Sequence, residues 1–424
     1  MVYVLNQYNE PLMPTENHRM VRLLIKNKKA KVVKRTPFTI KLLFPTKKCT
    51  QNITLGVDAG SKTIGIVAAT SNKELYAAEV KPRNDIVELL STRREYRRSR
   101  RNRTTRYRAP RFDNRVHSKH KGWLAPSVEV KIKEHVTSIK RVCKILPITK
   151  IVVETAEFDL QLLKALETAT TIPTGTAYSS GPMLGHYNSR QYVLFRDNYK
   201  CQHCKTHGKG IKLHVHHIES RKVGGDAPDN LITLCEHCHG LLHKGLITIK
   251  VAAKRRMRST RDAAFMGIMR KTLMQRLRDE LKVPVYETKG YITKYTRVEV
   301  LKLPKSHIND ALLIAVGSNL GITSIKRVDK SYLIKPVRNH NRCLHKATIN
   351  KGGKRKSNQA AKYVFGFRLF DKVLYNGHEC FIWGRRTSGH MLLRLLDGTK
   401  VKDGASYNEL KLLERSSNYL IGEV

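Results

Sequence analysis

At 424 residues the chain is long enough for two to four domains, because a single core rarely grows beyond about 250 to 300 residues. Its 81 Lys and Arg against 34 Asp and Glu leave a net charge of +47, a self-repelling field that calls for a polyanion, with nucleic acid as the expected partner; acidic residues would serve bare solubility better. No apolar run approaches the roughly 18 residues of a membrane span, and the opening MVYVLNQYNEPLMP lacks the regions of a signal peptide, so a soluble intracellular protein is expected.

In chain order, residues 2 to 44 read as a small α+β unit. It has a strand from Val2 to Leu5, a turn around Pro11 to Pro14, a basic helix from about His18, and two strands ending in Thr39 to Leu43. Residues 53 to 80 hold three apolar stretches, ITLGVD, IGIVAAT and ELYAAEV, expected to start a larger sheet as three antiparallel strands. Eleven arginines lie between Thr92 and Arg115, and like charges at helical spacing oppose a helix in isolation. This run lies between folded segments and ends at Pro110, so a helix stabilised by phosphates is expected rather than a basic tail.

Val128, Ile132, Val136, Ile139, Val142 and Leu146 then mark one face of a helix stopped by Pro147, and the strand KIVVE follows at residues 150 to 154. Residues 165 to 186 and 244 to 249 read as linkers around an inserted domain. A helix over 259 to 282, strands PVYET and TRVEVLKL, and an apolar helix opening at Asp310 complete the α/β pattern. Beyond about residue 325, a basic irregular stretch gives way to short strands with turns at Asn376-Gly377, Gly389 and Asp397-Gly398, the spacing of a small β-barrel.

Three carboxylates stand out. Asp58 and Glu154 each end a strand, and Asp310 opens a helix with His307 three residues before it. Each alone has an ordinary explanation as turn residue, solvated end or helix cap. Together they supply what a two-metal phosphodiesterase needs, since two Mg2+ ions about 3.5 to 4 Å apart require bridging carboxylates.

The eight cysteines include two CxxC pairs, Cys201 with Cys204 and Cys235 with Cys238, the donor set of a closed, structural Zn2+ site. The thirty residues between the pairs, 205 to 234, carry His216, His217 and Asn230. A ββα-metal unit uses one His as general base, an Asn to orient the water, and one divalent ion to take up charge on the phosphate.

These motifs resemble one family. VDAGSKTIGI, IVVET and SHINDALLIA look like three RuvC segments, CQHC…VHHI…DNL…CEHCH looks like an HNH domain, and PLMP with the arginine helix is similar to IscB, a group of transposon-encoded RNA-guided nucleases taken to be ancestral to type II CRISPR effectors. The resemblance implies an α/β fold: an RNase H-like RuvC domain split in three, an inserted ββα-metal HNH domain, an arginine-rich bridge helix, a small N-terminal α+β domain and a C-terminal small β-barrel. It implies these segments: 1–50 PLMP, 51–84 RuvC I, 85–116 bridge helix, 117–164 RuvC II, 165–186 linker, 187–247 HNH, 248–325 RuvC III, and 326–424 a domain that reads a motif flanking the target.

By the same resemblance Asp58, Glu154 and Asp310 hold two Mg2+, assisted by His307, while His217 is the HNH base and Asn230 its orienting residue. His216 and His239 hold one Mg2+ there, with His243 a competing ligand, and Ala59 replaces the Pro usual after the first Asp. Arg93, Arg94, Arg97, Arg98, Arg100, Arg101, Arg103, Arg106 and Arg108 are implied to clamp guide RNA. The expected protein is a monomer in a cytoplasmic, prokaryotic ribonucleoprotein with an omega guide RNA, acting on double-stranded DNA with a flanking motif and touching no membrane. Rival expectations are a guide-free homing or junction-resolving nuclease, and an inactive nucleic-acid scaffold.

Overall fold

The structure is a computed structural model that describes residues 1–101, 122–155, 189–208, 210–220, 228–249, 261–317, 325–338 and 361–424. The architecture is mixed α/β, and the chain divides into two compact units: Met1–Ala156 with Ile268–Val424, and Glu157–Gly267. Among the described residues no helix is long and apolar enough to cross a membrane.

The larger unit opens with β1 (Tyr3–Leu5), α1 (His18–Lys26), β2 (Ala30–Lys34) and β3 (Thr39–Leu42), and β3 pairs parallel with β1 and antiparallel with β2. Asn17 caps α1 by accepting from the Met20 amide at 2.9 Å, and Val2, Val4, Val21, Ile40 and Leu42 form the core beneath it.

β4 (Thr54–Ala59), β5 (Ile64–Ala69) and β6 (Glu74–Val80) form the expected antiparallel meander. β7 (Lys150–Glu154) joins β4 in parallel, and β10 (Val285–Thr288) joins β7 in parallel. β11 (Tyr332–Pro336) and β17 (Tyr419–Glu423) extend the other edge, so the sheet runs β10-β7-β4-β5-β6-β11-β17. β5 is buried at every position, which explains its unbroken apolar run: both faces of the strand are covered.

α2 (Ile86–Arg101) is the described part of the arginine-rich helix expected over 85–116, and Arg93, Arg94, Arg97 and Arg98 are exposed on it. The side chains of Arg100 and Arg101, and all of Arg103, Arg106, Arg108 and the stop at Pro110, lie outside the described residues, as does the linker at 165–186. α3 (Pro126–Cys143) buries Ile132, Val136, Ile139 and Val142 as the spacing predicts, but ends before Leu146, which is buried in the turn that follows.

In the second unit, α4 (Ser189–Arg196) precedes an antiparallel pair of strands, β8 (Leu213–His217) and β9 (Leu231–Cys235), followed at once by α5 (Glu236–His243). Ile247 and Ile249, in the expected second linker, pack against the core of this unit around Cys201, Leu234 and Cys238.

α6 (Arg261–Glu280) carries the stripe Phe265, Met266, Met269, Leu273, Met274 and Leu277, all buried, as ordinary core. The expected strand TRVEVLKL is not a strand. α7 (Gly290–Tyr295) continues into a wider helical turn over Thr296–Val300, where the Leu301 amide donates to the Thr296 carbonyl five residues back. Thr, Val and Val favour strands locally, but burial of Thr293 and Thr296 and an ion pair from Arg297 hold the segment helical. α8 (His307–Val316) likewise starts at His307 rather than Asp310, because Ser306 caps it by accepting from the Asn309 amide at 3.0 Å.

The C-terminal strands β12 (Lys372–Tyr375), β13 (His378–Arg385), β14 (His390–Arg394), β15 (Lys400–Ser406) and β16 (Lys411–Glu414) form an antiparallel sheet in the order β15-β14-β13-β12-β16, over a core of Val373, Cys380, Ile382, Met391 and Leu393. The Asn376-Gly377 turn joins β12 to β13 with φ of 47° and 79°, the left-handed pair a two-residue hairpin demands.

Candidate active sites

The first site lies where β4, β7 and α8 meet. β4 and β7 run parallel with Asp58 directly opposite Glu154, so two carboxylates share one end of the sheet. α8 reaches them because the strands below it are stripped to glycine. A Cβ on Gly56 would stand 2.1 Å from the Ala311 carbonyl oxygen, and one on Gly65 would stand 2.0 Å from that of His307. The small residues Ala69, Ala77, Ala311 and Ala315 continue this close seat.

Each acid has its own protein partner. His307 Nδ1 lies 2.6 Å from Asp58 Oδ2, Thr293 Oγ1 donates to Glu154 Oε2 at 2.5 Å, and Arg297 Nε lies 2.8 Å from Asp310 Oδ1. Gly290, at the start of α7, leaves room for Glu154, since a Cβ there would stand 2.8 Å from Oε1. Thus α7 and its wide turn touch two of the three carboxylates, and wide helical turns of this kind recur at functional sites.

Burial raises Glu154 above the usual carboxylate range, and the charges of Asp58 and Asp310 push it further; Thr293 opposes. Asp310 is raised by burial and by Asp58, against Arg297 and His307. His307 is raised, chiefly by its hydrogen bond to Asp58. Asp310 Oδ1 is buried and ion-paired with Arg297 Nε, without an aligned hydrogen bond. Mutually repelling, hard oxygen donors fit a divalent cation such as Mg2+.

The second unit holds two tighter clusters, each with its ligand atoms within 4.8 Å of one another: Cys201, Cys204, Cys235 and Cys238, and His216, His239 and His243. The three carboxylates do not close to that spacing. Cys204 and Cys235 Sγ stand 3.7 Å apart, close to the roughly 3.8 Å edge of a tetrahedron with Zn–S of about 2.3 Å. Burial raises the Cys235 and Cys238 thiols, whereas hydrogen bonds from Thr206 lower Cys204 to about 6. The four thiols fit zinc.

Cys235 is also the cap of α5, accepting from the Cys238 amide at 3.4 Å, so one residue links β9, the cysteine cluster and the helix that carries His239 and His243. His216 faces these two from β8, and His239 and His243 Nε2 stand 3.2 Å apart. The sequence left His239 and His243 as competitors; the structure brings both to His216. Burial, then the neighbouring histidines, lower His216 and His239, which keeps them neutral as metal ligands must be. His214 stacks on His239 with ring centres 4.9 Å apart.

His217 follows His216 as the last residue of β8. Asn230, buried, clamps the backbone just beyond it: its Oδ1 accepts from the Glu219 amide at 2.8 Å, its Nδ2 donates to the Glu219 carbonyl at 3.0 Å, and its carbonyl accepts from the Ile218 amide at 2.8 Å. These bonds tie Asn230 to the segment that follows His217. Arg196 of α4 braces the same finger through the Pro228 and Leu231 carbonyls at 2.8 and 2.9 Å.

Sequence reasoning missed Thr293, Arg297 and Thr206 as partners. The i,i+4 spacing of His239 and His243 was a usable signal for a shared ligand set, whereas reading TRVEVLKL as a strand hid Arg297.

Comparison with known proteins gives two family matches: residues 2–179 match the family described as RRXRR protein, and residues 201–245 match HNH endonuclease. No curated protein matches the chain. Among solved structures, Streptococcus thermophilus Cas9 in complex with the GGAA PAM is similar at 12% identity over 52% of this chain and 29% of that one, with a TM-score of 0.34. The same protein with the AGGA PAM is similar at 11% identity over 64% and 32%, with a TM-score of 0.36. The chain therefore spans about a third of the length of these proteins. Residues 201–245, which hold the four cysteines and the histidine trio, are thus an HNH endonuclease domain carried by a larger mixed α/β chain.

Proposed function

We propose that the chain is an RNA-guided DNA endonuclease of the IscB kind, with a RuvC-type site at Asp58, Glu154 and Asp310 and an HNH site at His217. The observation that carries this reading is the pairing of an HNH domain with a separate trio of acids, two at one end of a β-sheet and one on the helix packed against it, two sites suited to two strands. The RuvC-like order of the motifs and the net charge of +47 favour a guide, since a bound RNA would neutralise much of that charge. On this reading, closure of the C-terminal sheet into a barrel and its reading of a flanking motif belong to the same design.

In the HNH domain, His216, His239 and His243 would hold one divalent ion, which when bound stabilises charge building on the scissile phosphate. His217 takes the proton from the attacking water. Asn230 keeps the Glu219 backbone, and with it the end of β8, in register for that transfer. The four cysteines would hold zinc and tie β9 to α5. In the carboxylate site, Asp58, Glu154 and Asp310 would hold Mg2+, and His307 keeps Asp58 oriented through its Nδ1 contact. The HNH site would cut the guide-paired strand and the carboxylate site the displaced one.

Purifying the chain and sequencing the RNA that travels with it tests the guided part. A defined, abundant RNA whose variable end programs cleavage is expected. Sequence-specific cutting of duplex DNA by protein stripped of RNA would overturn it in favour of a guide-free nuclease.

A further inference from the structure

The hairpin that leads into the C-terminal sheet carries an outlier. Val364 and Phe367 exchange backbone hydrogen bonds at 2.9 and 3.0 Å, leaving Phe365 and Gly366 as a two-residue turn with φ of 46° and 78°. Both positions are left-handed, the geometry that Asn, Asp and Gly adopt readily and that a bulky side chain opposes. Phe365 is not there to fill a core, because it is 53% exposed. Its ring lies parallel on Tyr407, with centres 4.1 Å apart and planes 12° apart. Gly389 makes space for the pair: a Cβ there would stand 2.7 Å from Tyr407 Cδ1 and 3.0 Å from Phe365 Cε2. Tyr363, two residues before it in the hairpin, is 50% exposed.

The turn is clamped by cations. Arg415 Nη1 donates to the Gly366 carbonyl, and at 2.9 Å to buried Asp371, while Arg385 Nη1 donates to the Lys362 and Phe367 carbonyls. Lys362 Nζ and Arg415 Cζ lie 5.7 and 5.9 Å from the centre of the Tyr363 ring. A strained, exposed and stacked aromatic beside a second exposed ring, rimmed by cations, is a platform for a flat π-system attached to an anion.

We propose that Phe365, backed by Tyr407, and Tyr363 form a stacking platform for an unpaired nucleobase of a nucleic-acid strand, with Lys362 and Arg415 facing the neighbouring phosphates. Paired bases keep their faces against each other inside a duplex, so a single-stranded stretch, bulge or flipped base is the occupant. The proposal rests on the nucleic-acid part of the function above and is independent of guided cleavage.

The test uses the full chain with short single-stranded oligonucleotides bearing 4-thiouridine or 4-thiothymidine, photocrosslinked and mapped by peptide mass spectrometry, beside abasic strands of equal length. Adducts on Tyr363 or Phe365 are expected, with base-bearing strands binding about tenfold tighter than abasic ones. Phe365→Asn, which suits the turn better and so keeps the hairpin, should abolish both the adduct and that preference while retaining abasic binding; Phe365→Trp should keep both. RNA and DNA arms identify the source of the base. Adducts confined to other segments, or equal binding of base-bearing and abasic strands, overturn the platform. Normal stacking with no programmable cleavage would leave it standing and remove the guided reading.

Discussion

Arg297 and Asp310 bring opposite charges to 2.8 Å without aligning a hydrogen bond, while Asp310 is still raised by burial and by Asp58. A guanidinium in that place competes with any cation for the same oxygen. Arg297→Ala is therefore expected to strengthen divalent binding at the carboxylates severalfold, read as a larger thermal shift with Mn2+ than in the parent; a variant that needs more Mn2+ would sink the idea. His135, fully buried on α3, has its pKa lowered to about 4 by burial, with Nδ1 on the Lys131 carbonyl at 2.8 Å. The unfolded chain takes up this proton near the ordinary 6.5 and the folded one only near 4, so the stability is present above 6.5 and is lost as pH falls toward 4, by about 3 kcal/mol. Glu134 works in the opposite sense: burial raises it to about 7, so acidification from 7 restores stability. The two offset in the parent. Urea midpoints at pH 7 and 5 should show Glu134→Gln losing more stability on acidification than the parent, and His135→Leu losing less; equal slopes for all three would refute the assignment.

At the scale of elements, the carboxylate site depends on how closely α8 can lie on β4 and β5. Gly56→Ala puts a methyl group 2.1 Å from the Ala311 carbonyl oxygen, so α8 must lift and carry Asp310 and His307 with it. A stability loss of about 1 to 3 kcal/mol is expected, with loss of cleavage at the carboxylate site and retained HNH cleavage. Unchanged melting and strand cutting would refute the close seat. The cysteine cluster has a comparable role in the other unit, where Cys235 both caps α5 and stands 3.7 Å from Cys204. Cys201→Ala should expel zinc and unfold the finger, since structural zinc contributes on the order of 10 kcal/mol to such small units. Zinc analysis and circular dichroism check this, and retained zinc with full activity would count against it.

At the scale of the whole molecule, the carboxylates and the histidine trio belong to different compact units. Asp58→Ala should accordingly leave a nickase that still cuts through the HNH site. Loss of both cuts in a folded, nucleic-acid-loaded variant would show that the sites act as one. Much of this layout was legible beforehand. The meander, the strand ending in Glu154, the buried methionine stripe and the Asn376-Gly377 turn each follow from local periodicity or turn chemistry that tertiary contacts then reinforce. The segment TRVEVLKL was not legible, because its β-branched residues are outweighed by contacts to residues distant in sequence, Thr293 to Glu154 and Arg297 to Asp310. The hydrogen bonds of Asn230 to Glu219, eleven residues away in the chain, were not legible either.

By itself the sequence determined the charge, and hence the class of partner, together with the identities of the acids, the histidines and the four cysteines; composition and spacing are local properties that folding does not alter. Only the tertiary structure decided which groups meet. Glycines at 56 and 65 let α8 descend onto the sheet, α7 and the wide turn after it bring Thr293 and Arg297 to two carboxylates, and one turn of α5 sets His239 and His243 together against His216. Those encounters depend on angles and separations between elements, and such quantities arise only when the elements pack.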